Sequence, residues 1–114
     1  MNRYDLSIDD WAMDDFGVIG QVYALKRNTI TLVMNGKEFD HHLCQVLPIP
    51  LTEEILVKNG WKKRPLRYFT EWYGCFQINE QSNGKFYYAS IPLNYVHELQ
   101  HLLRLAGIEK AIKL

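Results

Sequence analysis

Alternating apolar and polar residues indicate β-structure in the first half of the chain. In TITLVM (29–34) the apolar residues fall mainly on one strand face and the threonines on the other. Asn-Gly follows at 35–36, and both residues tolerate the positive φ angles of a two-residue hairpin turn. Alternation resumes in 37–43, and GVIGQVYAL (17–25) indicates an earlier strand. We therefore predict a three- to four-stranded antiparallel meander over 16–46, as an open sheet or a small SH3-like barrel.

Two helices are predicted after the proline-containing segment LPIPLTEE (47–54), where the two prolines favour an extended crossing. The first helix has Thr52 as its N-cap and Gly60 just beyond its end. The second runs from about Asn94 to Ala106, with asparagine as the cap and a glycine following the helix.

Between the helices, two aromatic-rich stretches, 67–79 and 84–91, have the composition of strands and form a predicted β-hairpin. The fold class is therefore α+β. An N-terminal antiparallel β-meander or small SH3-like barrel precedes a short helix, a β-hairpin and a C-terminal helix. We predict one domain over 1–114, with a β-rich subdomain at 1–47 and a helix–hairpin–helix subdomain at 48–114.

Composition narrows the class of protein. The chain has 114 residues, of which 13 are basic and 13 acidic, so no overall charge calls for nucleic acid or an anionic membrane. No apolar run has the length of a membrane span, and the first residues lack the apolar core of a signal peptide. The two cysteines, Cys44 and Cys75, form no framework, which favours free thiols and a cytoplasmic location.

His-Glu-Leu-Gln-His at the start of the last helix matches the zinc-protease pattern. His97 and His101 lie one helical turn apart and can both reach one Zn²⁺, and Glu98 is the corresponding general base. A third ligand is difficult to find, because Glu109 is the only carboxylate after the second histidine.

An amphipathic helix explains the same residues without a metal. The apolar residues fall on one stripe at helical spacing: Val96, Leu99, Leu103 and Ala106. The polar residues fall on the other side: Asn94, His97, Glu98, His101 and Arg104. The pattern is short and arises by chance in many chains, so the sequence favours the structural interpretation and no cofactor.

PIPLTEEILVKNGW and YVHELQHLLRLAGIE together resemble a family of small uncharacterised proteins from gut Bacteroides-group genomes, phages and mobile elements. The resemblance covers 47–61 and 93–109, and the N-terminal half matches only loosely. It implies no activity. It does imply that Gln and Asn commonly replace Glu98 and His101, which argues against a catalytic glutamate and a metal-binding histidine there.

Basic and aromatic residues alternate in KNGWKKRPLRYFTEWYG (58–74), the composition of a single-strand nucleic-acid surface. The candidate binding residues are Lys62, Lys63, Arg64, Arg67, Trp61 and Trp72. The alternative is a solvated basic turn whose aromatic rings lie in the core. Two other clusters carry weaker signals: DDWAMDD (9–15) indicates a solvated loop with Trp11 turned inward, and DHHLC (40–44) lacks metal-ligand spacing.

The sequence thus favours a non-enzymatic accessory or binding protein, linked through the resemblance to phages or mobile elements. Its partner would be a protein or a single-stranded nucleic acid, with no membrane. The alternative is a zinc-dependent hydrolase that uses His97 and His101 as ligands and Glu98 as base. A homo-oligomer with exposed aromatic residues at its interface is a third hypothesis.

Overall fold

The computed structural model describes residues 6–70, 76–108 and 110–114. The chain divides into two compact units, Met1–Ile49 and Pro50–Leu114. The first unit contains a curled antiparallel sheet, and the second contains another sheet and two helices. The predicted α+β class is confirmed. Neither helix in the described part of the chain is long and apolar enough to cross a membrane.

The first unit is a five-stranded half-barrel with the strand order β4-β3-β2-β1-β5. Its strands are β1 Trp11–Asp14, β2 Ile19–Leu25, β3 Thr29–Met34, β4 Lys37–His42 and β5 Val46–Leu47. The predicted meander and its hairpin are confirmed, since Asn35 and Gly36 both have positive φ, at 54° and 77°.

Burial in β3 follows the predicted alternation except at Thr31, which is 4% exposed although it was predicted to lie on the opposite face. Ile30, Leu32 and Met34 point into a core shared with neighbouring strands. β2 contributes Gly20, whose Cα lies directly against β3. A Cβ on Gly20 would lie 2.9 Å from the Val33 carbonyl oxygen, so the two strands pair here only because the side chain is absent.

The prediction of a solvated loop at 9–15 with Trp11 turned inward is wrong, because Trp11–Asp14 forms the strand β1. Ala12 and Asp14 are the buried residues, whereas Trp11 is only partly buried on the opposite face. Asp14 belongs inside because its Oδ1 accepts hydrogen bonds from the backbone N–H groups of Phe16 and Val18, at 2.9 and 2.8 Å. Local hydrogen bonding of this kind offsets the cost of burying a carboxylate.

The second unit has one sheet in which chain order and spatial order coincide, β10-β9-β8-β7-β6. Its strands are β6 Lys62–Arg64, β7 Tyr68–Thr70, β8 Ile78–Glu80, β9 Phe86–Tyr88 and β10 Ile91–Leu93. The predicted strand 67–79 contains both β7 and β8, the turn at 89–90 falls inside the predicted strand 84–91, and β6 was not predicted. The turn between β8 and β9 lies where the sequence predicted a loop.

Two helices complete this unit, α1 Glu53–Lys58 and α2 Val96–Leu105. The predicted caps of α1 are confirmed: Thr52 Oγ1 accepts the Ile55 N–H at 3.3 Å, and Gly60 has a φ of 96°. α2 begins after Tyr95 rather than after the predicted cap, Asn94.

The core of the second unit is aromatic. Trp61 is 1% exposed, packs edge-on against Phe76 at 6.2 Å between ring centroids, and donates from Nε1 to the Phe76 carbonyl oxygen at 3.1 Å. Phe76 in turn stacks on Tyr88 at 4.2 Å. Edge-to-face and stacked pairs add to the stabilisation that burial itself provides.

The last residues of the chain are bound through Asn59, the C-cap of α1. Asn59 Nδ2 donates to the carbonyl oxygens of Ile55 and Lys113, both at 2.8 Å, and its Oδ1 accepts the Lys113 N–H at 2.7 Å. The side-chain amide therefore pairs with the Lys113 backbone as a strand would. Ile112, the neighbouring residue, is 3% exposed.

Candidate functional site

A single row of side chains crosses all five strands of the second sheet. The pairings Arg64↔Tyr68, Tyr68↔Asn79, Asn79↔Tyr87 and Pro92↔Tyr87 place one residue from each strand directly opposite the next. Residues opposite each other in antiparallel strands share a face. The neighbouring pair Phe69↔Ile78 points to the other face and is fully buried, so the row occupies the outer face.

The row combines a cation, two phenol rings and an amide. Tyr68 and Tyr87 are partly exposed, and Asn79 lies between them on β8. Neighbouring strands are about 4.8 Å apart, so the two tyrosines stand roughly 10 Å apart across the central strand. Asn79 Oδ1 accepts a hydrogen bond from Gln77 Nε2 at 2.9 Å, which fixes the plane of its amide.

Basic residues extend this row at the β6 edge. Lys62 lies opposite Thr70 on the same outer face and is exposed. Its side-chain ammonium makes no hydrogen bond or ion pair with a described residue. Arg64 is exposed as well, and its Nε donates to Thr70 Oγ1 at 3.0 Å. Two cations are thus placed beside Tyr68, at one end of the row.

Lys63 alternates to the opposite face of β6 and is occupied there. Its Nζ lies 2.9 Å from Glu53 Oε1 and 3.7 Å from Glu80 Oε1. The hydrogen bond and the charge of Glu53 raise the pKa of the Lys63 ammonium above its ordinary value. Of the three consecutive cations, Lys63 is therefore the one already neutralised within the fold.

The remaining predicted binding residues are dispersed. Trp61 is enclosed in the core, so its ring does not contribute to the exposed surface of this unit. Arg67 lies in the turn after β6, and its Nη1 is 3.5 Å from the Gln81 carbonyl oxygen. Trp72 lies outside the described residues.

Glu98 of the His-Glu-Leu-Gln-His segment caps its own helix. Its Oε1 accepts the backbone N–H groups of Asn94 and Tyr95, at 2.8 and 2.9 Å. Two otherwise open N–H groups are satisfied in this way, and the negative charge lies at the positive end of the helix dipole. Because Glu98 caps α2, the helix begins one residue later than the sequence predicted.

The predicted position of His97 on the solvent side of α2 is wrong, since it is only 3% exposed. The ring of Tyr95 stacks on it at 5.8 Å, and the ring of His101 meets it edge-on at 5.6 Å. α2 buries a wider face than its apolar stripe, because Gln100 is buried as well. Ala106, which was predicted to lie on that stripe, is exposed.

In residues 6–70, 76–108 and 110–114, no three His, Cys, Asp or Glu side chains are grouped so that they could hold a metal ion. Glu109, the candidate third ligand, lies outside the described residues. The histidines of β4 diverge: His41 Nε2 is 4.0 Å from Asp14 Oδ2, whereas His42 Nδ1 is 3.2 Å from Cys44 Sγ.

Sequence reasoning missed Tyr68, Asn79 and Tyr87 as members of one site. Tyr68 belonged to the basic-aromatic segment, but Asn79 and Tyr87 lie far beyond it in the chain. Only the strand register brings the three together. Asn83 and Gly84 indicate the connection between β8 and β9, but no residue indicates which positions of these short strands lie opposite each other. Period-two alternation within each strand predicts only which residues share a face.

The chain matches no protein family, no curated protein and no solved structure.

Proposed function

We propose that this protein is a non-enzymatic binding protein for single-stranded nucleic acid. The observation that carries the proposal is the row Arg64–Tyr68–Asn79–Tyr87 across the outer face of the second sheet. Nucleobases stack on aromatic side chains, and each such stack contributes about 1–3 kcal/mol of binding free energy. The amide of Asn79 lies between the rings, where it can meet the edge of a base.

The charges at the β6 edge support the same ligand. Lys62 and the guanidinium of Arg64 flank Tyr68 on the outer face, so phosphates that follow a stacked base would meet cations. A protein partner would need an apolar patch or a paired charge pattern on this face. Exposed cations beside Tyr68, with a second phenol ring further along the row, fit a base-and-phosphate ligand better.

The proposal includes a cellular compartment and a biological context for the protein. The free-cysteine composition supports the cytoplasm, and the resemblance of the 47–61 and 93–109 segments supports a role in phage or mobile-element biology. Binding of this kind needs no cofactor.

Binding of a labelled single strand of about 12 nucleotides, as DNA and as RNA, tests the proposal by fluorescence anisotropy. With about three phosphate contacts, raising salt from about 50 to about 200 mM should weaken binding roughly 20-fold. The double variant Lys62→Gln/Arg64→Gln should bind roughly tenfold more weakly at the lower salt, and its logarithmic salt slope should be smaller by about 1.4.

Lys63→Gln is the matched control. It removes a charge from the same strand, but one that already pairs with Glu53 and lies on the other face, so single-strand affinity should change by less than about twofold. Absence of binding at low salt, or an equal loss in the Lys63 variant, would contradict the proposal. About one zinc per purified chain, lost in His101→Ala, would instead support the hydrolase.

A further inference from the structure

The turn between β6 and β7 places a fully exposed leucine at its tip. Leu66 is 93% exposed, and both Leu66 and Arg67 have left-handed backbone conformations, with φ of 68° and 57°. Glycine or asparagine would adopt these angles more easily than leucine. Either residue would also avoid exposing an apolar side chain. Local stability does not account for leucine here, so its presence calls for a role outside the folding of the turn.

The tip is fixed relative to the sheet. Arg64 and Tyr68 pair across the base of the turn, so the loop is only three residues long. The Arg67 carbonyl oxygen accepts the Glu80 N–H at 2.8 Å, which ties the turn to β8. Two residues span at most about 7 Å, so Leu66 is held within about 7 Å of Tyr68, the first ring of the row.

From this placement, and on the basis of the proposed function, we infer that Leu66 is a wedge that packs against the last base pair of a duplex. The preferred ligand is then a junction at which a single strand leaves a duplex. The single strand lies on the tyrosine row, and the duplex end meets the leucine. Apolar side chains act as wedges against stacked bases in this way.

Charge around the tip favours this ligand over an apolar pocket in another protein. Arg64 and Arg67 flank the leucine on both sides, and a duplex end presents phosphates of two strands on either side of an exposed apolar base pair. The same cations would also suit an anionic lipid surface, which is the competing ligand. The continuity between the tip and Tyr68 favours nucleic acid, because one ligand then contacts both features.

Three oligonucleotide probes that carry the same fluorescent label test the inference. They are a single strand, a blunt duplex, and a hairpin duplex that carries the same single strand as an overhang. We expect the overhang probe to bind about tenfold more tightly than the single strand, the effect of partly burying one leucine side chain. In Leu66→Asn this preference should fall to within about twofold, with single-strand affinity unchanged. Asparagine tolerates a positive φ, so the turn should be preserved.

Leu66→Met should keep the preference for the overhang probe, because methionine places an apolar side chain of similar volume at the tip. Equal affinity of the native protein for the single strand and the overhang probe would overturn the inference, as would a preference retained in Leu66→Asn. In both cases the proposed single-strand function would stand. Failure to bind any probe would overturn both. Leu66-dependent binding to phosphatidylserine vesicles, with no junction preference, would overturn the inference in favour of a membrane.

Discussion

Replacement of Trp61 by alanine should lower the free energy of unfolding by about 3–5 kcal/mol, the usual cost of deleting a buried aromatic side chain. Among residues 6–70, 76–108 and 110–114, Trp61 is the largest fully buried side chain, and its indole donates to the Phe76 carbonyl oxygen. Small domains are stable by only about 5–15 kcal/mol in total, so a large share of the stability would be lost. Urea unfolding followed by far-ultraviolet circular dichroism measures the effect.

Trp61→Phe is the matched variant. It keeps an aromatic ring in the core and removes the Nε1 hydrogen bond to the Phe76 carbonyl oxygen, so the loss should be about 1–3 kcal/mol. Its affinity for a single-stranded oligonucleotide should equal that of the native protein, because the ring does not reach the surface of its unit. A marked loss of that affinity in a folded Trp61→Phe protein would indicate that Trp61 contacts the oligonucleotide. A loss of stability below about 1 kcal/mol in the alanine variant would contradict its place in the core.

Replacement of Asn59 by alanine should lower the free energy of unfolding by about 2–4 kcal/mol, because three hydrogen bonds are lost at once in a largely buried place. The Lys113 N–H would also lose its partner. Urea unfolding gives the global effect. Amide hydrogen exchange gives the local one: the Lys113 N–H should be protected in the native protein and should exchange rapidly in the variant.

Lys58→Ala is the control for Asn59. Lys58 precedes it in the chain and also contacts the chain end, with Nζ 2.6 Å from the Leu114 carbonyl oxygen, but it is exposed. Its loss should cost less than about 1 kcal/mol. Equal stability of the Asn59→Ala and Lys58→Ala variants would contradict the role of the Asn59 amide in binding the last residues. Continued protection of the Lys113 N–H in Asn59→Ala would contradict it as well.

The half-barrel was predictable because its signals agree. β3 alternates except at Val33, and Asn35-Gly36 supplies the two positive φ angles that its turn requires. β1 was missed since its inward residues are an alanine and an aspartate, and only the turn after Asp14 shows why a carboxylate faces inward. Hydrophobic patterning cannot recognise a strand whose buried residue is polar.

The second sheet was harder to predict because its strands are short and two of its turns have unexpected residues at positive φ. Leu66 and Ala89 have φ of 68° and 53°, where glycine or asparagine would be expected. The predicted strand 67–79 therefore contains both β7 and β8, and β6 lies outside both predicted strands. The row of Arg64, Tyr68 and Tyr87 therefore could not be assembled from the sequence, although the basic-aromatic composition at its β6 edge was visible.

The two sheets differ in the sequence distance that their pairings span, and this has a consequence for folding kinetics. In the second sheet, each strand pairs with its neighbour in the chain. The half-barrel also pairs β1 with β5, which joins Met13 to Leu47 across three intervening strands. Closing that long loop costs chain entropy before any contact compensates it, so we expect it to follow the local hairpins. Substitutions at Val46 should then accelerate unfolding, whereas those in the β3–β4 hairpin should slow refolding, as stopped-flow measurements would show.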